Sequence, residues 1–174
     1  MNIGVRFSGL GGTRFSAITG NINGDFVNTN DLAYIFDWED PSVPQHIREG
    51  LINLLENPEV EDAFKDYLRQ NKGKVAERNG GVNKFYGTWD LRATKSFTFR
   101  NKSSLLVSVD VFNVANLLNK SWGLSHTLGR QTLYTVTGFD QATKEYQYKV
   151  RTNAGIVTPS GTPWQIQLGL KYAF

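Results

Sequence analysis

A loop rich in side-chain oxygens is the part of this sequence best equipped for chemistry. Its candidate ligands are Asn21, Asn23, Asp25, Asn28 and Asp31. Oxygens at positions 1, 3 and 5 of a short loop are the arrangement with which EF-hand-type loops bind Ca²⁺. Phe26 stands where such loops need glycine, and asparagine replaces aspartate at positions 1 and 3, so the ligand charge is low. Two interpretations are open: a Ca²⁺ site, or a cluster of Asx turns that stabilises the loop.

Residue patterns typical of catalysis are missing from the sequence. There is no cysteine, and His46 and His126 are the only histidines, without companions at the spacing of a nucleophilic triad. The basic residues are scattered among acidic ones, and the net charge is a modest +3, which does not favour nucleic-acid binding. We therefore expect no enzymatic activity, no cofactor other than Ca²⁺ if the loop binds it, and no nucleic-acid partner.

Charged and amide side chains recur at alternate positions in several strand-like segments. These polar positions are Asp90, Arg92, Asp110, Gln165 and Gln167. Successive side chains of a strand point to opposite faces of a sheet, so these residues are predicted to share one polar face. In a membrane-spanning barrel that face would line the lumen.

The last eleven residues, 164–174, carry the complementary apolar pattern. Apolar residues occupy every second position: Trp164, Ile166, Leu168, Leu170, Tyr172 and Phe174. The segment is about 33 Å long at ~3.3 Å per residue, and a tilt of roughly 40° projects it to about 25 Å, the height of the apolar band of an outer-membrane barrel. The pattern predicts a membrane-spanning strand, in which Trp89, Trp164 and Tyr172 belong to the aromatic belts.

Alternating short and long connections organise the rest of the chain. Residues 1–18 read as extended, either as one strand kinked at its glycines or as a hairpin. Residues 19–84 are predicted to be a long loop with two short helices, 85–116 a strand, a tight turn at Asn101-Lys102 and a second strand, 117–161 another long loop, and 162–174 the terminal strand. If the terminal strand descends through the membrane, both long loops lie outside the cell.

Composition agrees with this organisation. No apolar run approaches the ~20 residues of a transmembrane helix. The N-terminus lacks the apolar region of a signal peptide, which suggests a mature or truncated chain, or the tail of a longer one. The predicted fold is all-β with a small helical loop insertion. More specifically, it is a partial antiparallel transmembrane β-barrel of about the last four strands with long extracellular loops.

Four segments in order resemble the C-terminal region of TonB-dependent outer-membrane receptors. Trp89–Phe97 and Leu106–Lys120 are similar to that family's penultimate strands, "LDLR…K.F" and "…DVFNLLNK", which precede an aromatic-terminated last strand. Asn21–Leu32 and Lys74–Asn79 are similar to the large receptors of Bacteroidota, the SusC-like and carboxypeptidase-regulatory-domain types. The resemblance covers nearly the whole chain.

The resemblance implies a location in the outer membrane of a Gram-negative bacterium and a parent protein that transports a nutrient. The family has a plug domain, a TonB box and a barrel of 22 strands. Contact with TonB would be made by the N-terminal part of the parent protein, which is missing from this sequence. Its partners would be outer-membrane lipid, the rest of the barrel and plug, and the barrel-assembly machinery. The assembly signal would consist of Leu168, Leu170, Tyr172 and Phe174.

Two other interpretations compete with a transporter segment. One is a soluble β-rich binding module, such as a carbohydrate-binding one, with a helical insertion. The other is a non-functional truncated fragment, whose isolated sheet would have open edges that promote aggregation.

Overall fold

The computed structural model describes residues 1–100 and 103–174, in which strands predominate over helices. Strand accounts for 41% and helix for 15%, so the predicted mostly-β class with few helices is confirmed. The predicted turn at Asn101-Lys102 lies outside the described residues. The strands are β1 (Asn2–Leu10), β2 (Arg14–Phe15), β3 (Ala17–Ile18), β4 (Tyr34–Ile35), β5 (Lys74–Val75), β6 (Gly81–Val82), β7 (Tyr86–Thr98), β8 (Ser104–Phe112), β9 (Gln131–Thr132), β10 (Tyr134–Asp140), β11 (Glu145–Val150) and β12 (Gln165–Ala173). The helices are α1 (Gln45–Glu56), α2 (Asp62–Gln70) and α3 (Val114–Leu118).

The chain divides into two compact units, each assembled from separate segments. The sheet unit consists of Met1–Gly11, Phe85–Ser125 and Pro159–Phe174, and the core unit of Gly12–Lys84 and His126–Thr158. Each unit is described by itself below.

The sheet unit is built on one four-stranded antiparallel sheet with strand order β1-β7-β8-β12. Leu10 pairs with Tyr86 where β1 ends and β7 begins, and Phe112 pairs with Gln165 where β8 ends and β12 begins. The chain therefore leaves the sheet after β1 and after β8 at the same end. Within the part of the chain that the structure describes, the sheet is open, with β1 and β12 at its edges.

The first 18 residues adopt neither of the two predicted arrangements. Strand β1 ends at Leu10, and Gly12 then takes a φ of 73°. The strands that follow do not fold back onto β1: β2 pairs with β6, and β3 pairs in parallel with β9. The residues after the glycines belong to the core unit because Phe15 and Ala17 are buried in its core.

Buried apolar side chains concentrate in the core unit. Helix α1 turns Ile47, Leu51 and Leu54 inward at helical spacing, and α2 does the same with Phe64 and Leu68. Both helices fall inside the predicted loop 19–84. Within residues 1–100 and 103–174, no helix is long and apolar enough to cross a membrane.

Two distant segments share the core of this unit. Ala17 pairs with Gln131, and the side chain of Asn83 forms two hydrogen bonds with the backbone of Leu128, each of 2.8 Å. The ring of Phe36, in the segment Gly12–Lys84, also contacts the rings of Tyr134 and Tyr148 in the hairpin formed by β10 and β11. The two long connections of the sheet therefore fold together as one unit.

Candidate functional site

One face of the sheet in the sheet unit is almost entirely apolar. Residues directly opposite each other on antiparallel strands share a face. The register therefore aligns Ile3, Ala93, Val109 and Leu168 in one row across all four strands. Neighbouring rows hold Val5, Leu91, Val111 and Ile166, then Phe7 and Trp89, and at the other end Phe97, Leu105 and Tyr172.

This apolar face is exposed rather than packed against a second layer. Ile3 is 65% exposed, Leu168 73% and Leu170 76%. No apolar residue of the four strands is among the buried residues of the described chain. Folded proteins in water rarely expose large contiguous apolar surface, and such surface is typical of regions that bind a protein or a membrane.

The opposite face holds all five polar residues that the sequence predicts for it. Arg92, Asp110 and Gln167 lie in one row with Gly4, and Asp90 lies opposite Arg6 in the next. The Arg92 Nε atom is 3.5 Å from the Asp110 Oδ1 atom, an ion pair in which Arg92 is exposed and Asp110 is largely covered. Gln165 lies opposite Phe112. Leu106, which shares a row with Ser96 and Lys171, is a further apolar interruption of this face.

The predicted aromatic residues lie toward both ends of the apolar face. Trp89 stacks against Phe7 with ring centroids 4.6 Å apart, and Tyr172 lies at the other end, with its ring 6.3 Å from that of Phe174. Trp164 immediately precedes β12. Lys95 is the one charged residue among the described rows of this face, and its Nζ lies 5.0 Å from the centre of the Phe97 ring.

The four predicted assembly-signal residues lie on or just beyond an edge strand. Leu168, Leu170 and Tyr172 point to the apolar face of β12, whose only neighbour among the described strands is β8. Phe174 follows the last strand residue and is fully exposed. The backbone groups on the free side of β12 are therefore placed to pair with another strand.

Two buried asparagines support one end of the sheet; the sequence predicts the second strand of 85–116 to include both, but β8 ends at Phe112. Asn113 has a left-handed backbone (φ 51°), donates its N–H to Asp90 Oδ1 (2.9 Å), and donates through Nδ2 to the carbonyls of Gly123 and Thr162. Asn116 donates to two further carbonyls and accepts the N–H of Trp164 (3.2 Å). Their position directly after an alternating strand is the sequence signal that marks them.

The oxygen-rich loop is held together by its own side chains. Asp25 Oδ1 accepts the N–H of Val27 (2.8 Å), and Asn23 Oδ1 accepts that of Asp25 (2.9 Å), both Asx turns. Asp31 accepts the N–H of Ile22 and the side-chain amide of Asn23. The N–H of Val27, followed by the side-chain amide of Asn30, lowers the pKa of Asp25. Asn28 is exposed. The Ca²⁺ site stays a prediction, and the described residues contain no group of three or more His, Cys, Asp or Glu side chains placed to hold a metal.

The sheet therefore has one apolar and one polar face, and among the described strands β1 and β12 are its two unpaired edges. An apolar face suits lipid or another apolar layer, and a polar face suits water or a polar partner. No family model, no curated protein and no solved structure matches this chain.

Proposed function

We propose that this chain forms about the last four strands of an outer-membrane β-barrel of the TonB-dependent receptor class, whose parent protein imports a nutrient. The observation that carries the proposal is the exposed apolar face that runs across β1, β7, β8 and β12, backed by a polar face. Barrel strands in the outer membrane alternate in this way because one face meets lipid and the other meets the lumen.

The dimensions of the apolar face support a membrane location. Trp89 and Phe97 bound the face on β7, and the eight residue steps between them span about 27 Å at ~3.4 Å per residue. A strand tilt of roughly 40° reduces this length to about 20 Å along the membrane normal, close to the ~25 Å apolar band of such barrels. Lys95 lies beside Phe97 toward one end of the face, where a long side chain reaches the membrane surface.

The open edges support a place within a larger barrel. A barrel needs about eight strands to close, and here β1 and β12 each have one neighbour among the described strands. We infer that the remaining strands of the parent pair with both edges, and that its plug faces Arg92 and Asp110. The apolar edge formed by Leu168, Leu170, Tyr172 and Phe174 would be recognised by the barrel-assembly machinery through strand addition.

Site-directed fluorescence tests the proposal directly. The chain has no cysteine, so single cysteines can carry an environment-sensitive dye without a background substitution. One set replaces Ile166, Leu168 and Leu170, and the matched set replaces Gln165, Gln167 and Lys171, each in the full chain reconstituted in lipid vesicles. We expect a blue-shifted emission, quenched by lipid-soluble quenchers, at the first set only.

A cysteine at Asp66, exposed on α2 of the core unit, is the control for non-specific lipid contact. Equal emission at odd and even positions of β12 would contradict the proposal. A chain that is monodisperse in plain buffer and does not associate with vesicles would favour a soluble binding module instead. That result would give the core unit, with its own buried core, the functional role.

A further inference from the structure

The four strands of the sheet unit carry four cationic side chains, which differ in the residues that lie opposite them. Arg6 lies opposite Asp90, and Arg92 lies opposite Asp110. Opposite charges on directly opposed residues stabilise a strand pair. For these two cations, both on the polar face, the sheet itself therefore supplies an anionic neighbour.

The other two cations, Lys95 and Lys171, lie opposite apolar residues. Lys95 lies opposite Val107, and Lys171 lies opposite Leu106 in the neighbouring row. Both are toward the end of the sheet at which β7 ends and β8 begins. The segments that form this end contain no aspartate or glutamate: residues 1–5, 93–109 and 168–174. The positive charge at this end is therefore not balanced by carboxylate side chains of these segments.

Lys95 differs from Lys171 in the face of the sheet that it occupies. The row of Lys95 continues through Val107 to Leu170 on the apolar face. Lys171 lies one row further along and on the polar face. Where the apolar face meets lipid, Lys95 is therefore the cation that the lipid reaches, and Lys171 points to the lumen.

The ammonium group of Lys95 lies near an aromatic ring at the border of the apolar face. Its Nζ is 5.0 Å from the centre of the Phe97 ring, two residues nearer the end of β7. Aromatic side chains at the borders of an apolar band lie at the level of the lipid headgroups. The side chain of Lys95 therefore extends toward the headgroups rather than across the acyl chains. At that level, the lipid phosphates are anions that a cation on this face can reach.

We propose that Lys95, beside the Phe97 ring, binds the headgroup of an anionic phospholipid in the leaflet at this end of the sheet. The ammonium donates hydrogen bonds to phosphate oxygens, and the opposite charges strengthen these bonds. Arg100, exposed five residues further along the chain, adds positive charge that favours an anionic headgroup over a zwitterionic one. This assignment rests on the proposed function, because it requires the apolar face to meet lipid.

Quenching by brominated lipids tests the assignment in the full chain. A single cysteine carrying an environment-sensitive dye replaces Leu170, in the row of Lys95, or Ile166, two rows away on the same face. Each labelled chain is reconstituted in phosphatidylcholine vesicles with a small, equal fraction of brominated phosphatidylglycerol or brominated phosphatidylcholine. The ratio of the two quenching efficiencies measures the preference for an anionic headgroup. We expect a ratio of about three to five at position 170 and about one at position 166.

Matched charge changes separate this site from the net charge of the sheet. Lys95→Gln and Lys171→Gln each remove one positive charge, in adjacent rows but on opposite faces. We expect Lys95→Gln to lower the ratio at position 170 to below about two, and Lys171→Gln to change it by less than about 1.5-fold. Lys95→Arg should keep the ratio, because a guanidinium also donates to phosphate. Equal losses in Lys95→Gln and Lys171→Gln, or a ratio of one with Lys95 in place, would overturn the assignment.

The same measurement separates this assignment from the membrane location of the sheet. Strong quenching at both positions by brominated phosphatidylcholine, with no preference for the anionic lipid, would leave the membrane location intact and overturn only the headgroup site. An absence of quenching at position 170 by either lipid would overturn both.

Discussion

The core unit buries its large apolar side chains, whereas the sheet unit leaves its own exposed on both edge strands. Phe64 and Leu51 of the core unit are 0% exposed, but Leu168 and Leu170 of the sheet are about three-quarters exposed. In the core unit, dispersion contacts and the removal of apolar surface from water stabilise the fold. The sheet unit relies on its ladder of backbone hydrogen bonds and cross-strand contacts until its apolar face meets another apolar phase. The two units thus differ in how their apolar side chains contribute to stability, and mutations in the two units should have different effects.

Truncation of a core side chain should produce the largest difference between the units. We expect Phe64→Ala to lower the free energy of unfolding of the core unit by about 3–5 kcal/mol, because it removes a fully buried ring. The measurement is denaturant unfolding followed through amide signals of α1. Leu168→Ala is the matched truncation on the sheet face and should change the stability in detergent-free buffer by less than about 0.5 kcal/mol. Similar losses in both variants would remove the distinction between the units.

A glycine in the core unit separates backbone strain from packing. Gly155 has a φ of 77°, and a Cβ there would collide with the Phe64 ring and with Val60. Gly155→Ala should therefore destabilise the core unit by about 2–4 kcal/mol, through strain and overpacking together. Gly24 has nearly the same φ, 79°, but open space around it. Gly24→Ala should cost about 1 kcal/mol, from strain alone. Thermal unfolding of the two variants measures the difference. Equal losses of stability would mean that Phe64 and Val60 move aside without an energetic cost.

Alkaline titration tests burial of the tyrosines in the core unit. Burial raises the pKa of Tyr134 well above its ordinary value, and it also raises the pKa values of Tyr67 and Tyr148. A raised folded-state pKa means that the unfolded chain loses its proton first, near pH 10. The stabilising contribution of these tyrosines is therefore complete below pH 10 and declines as the pH rises toward their folded-state pKa values, over the widest range for Tyr134, the most deeply buried of them.

Tyr134→Phe removes one of these groups. We expect the variant to lose stability with a slope about 1 kcal/mol per pH unit shallower than the parent chain between pH 10 and 11. Unfolding at pH 8, where the tyrosine is neutral in both states, provides the baseline for each protein. An unchanged slope would show that Tyr134 reaches solvent at high pH.

The apolar and polar faces of the sheet were predictable, because the alternation of apolar and polar residues along a strand is a local sequence pattern. Trp89, Leu91 and Ala93 alternate with Asp90 and Arg92 whatever the rest of the chain does. The placement of Arg92 and Asp110 in one row also follows from alternation and the antiparallel pairing of adjacent strands. The exposure of the apolar face could not be predicted without the membrane hypothesis, because the same alternation describes a half-buried strand of a soluble sheet.

The core unit was predicted only in its parts. Helical spacing in α1 and α2 is local, but β3 and β9, the strands that join its two segments, are each two residues long, which is too short to show a periodicity. Ala17 pairs with Gln131, a long-range contact that no local sequence pattern predicts. In the sheet unit, Asn113 was predicted to lie within the second strand of 85–116, because no local pattern shows that its carbonyl partners lie at Gly123 and Thr162.

The oxygen-rich loop of the core unit should show the smallest effect, because it is held by hydrogen bonds rather than by the core. Asp31→Ala removes the side-chain acceptor of the Ile22 N–H and one of the two acceptors of the Asn23 side-chain amide, and should cost about 1 kcal/mol. Asp31→Asn keeps an acceptor oxygen and should cost less. Both variants are compared by thermal unfolding in a chelator and in millimolar Ca²⁺. If Asx turns alone hold the loop, Ca²⁺ leaves all midpoints unchanged. A Ca²⁺-dependent gain in the parent chain that Asp31→Asn abolishes would instead assign a metal site to the loop, because a neutral amide is a much weaker Ca²⁺ ligand than a carboxylate.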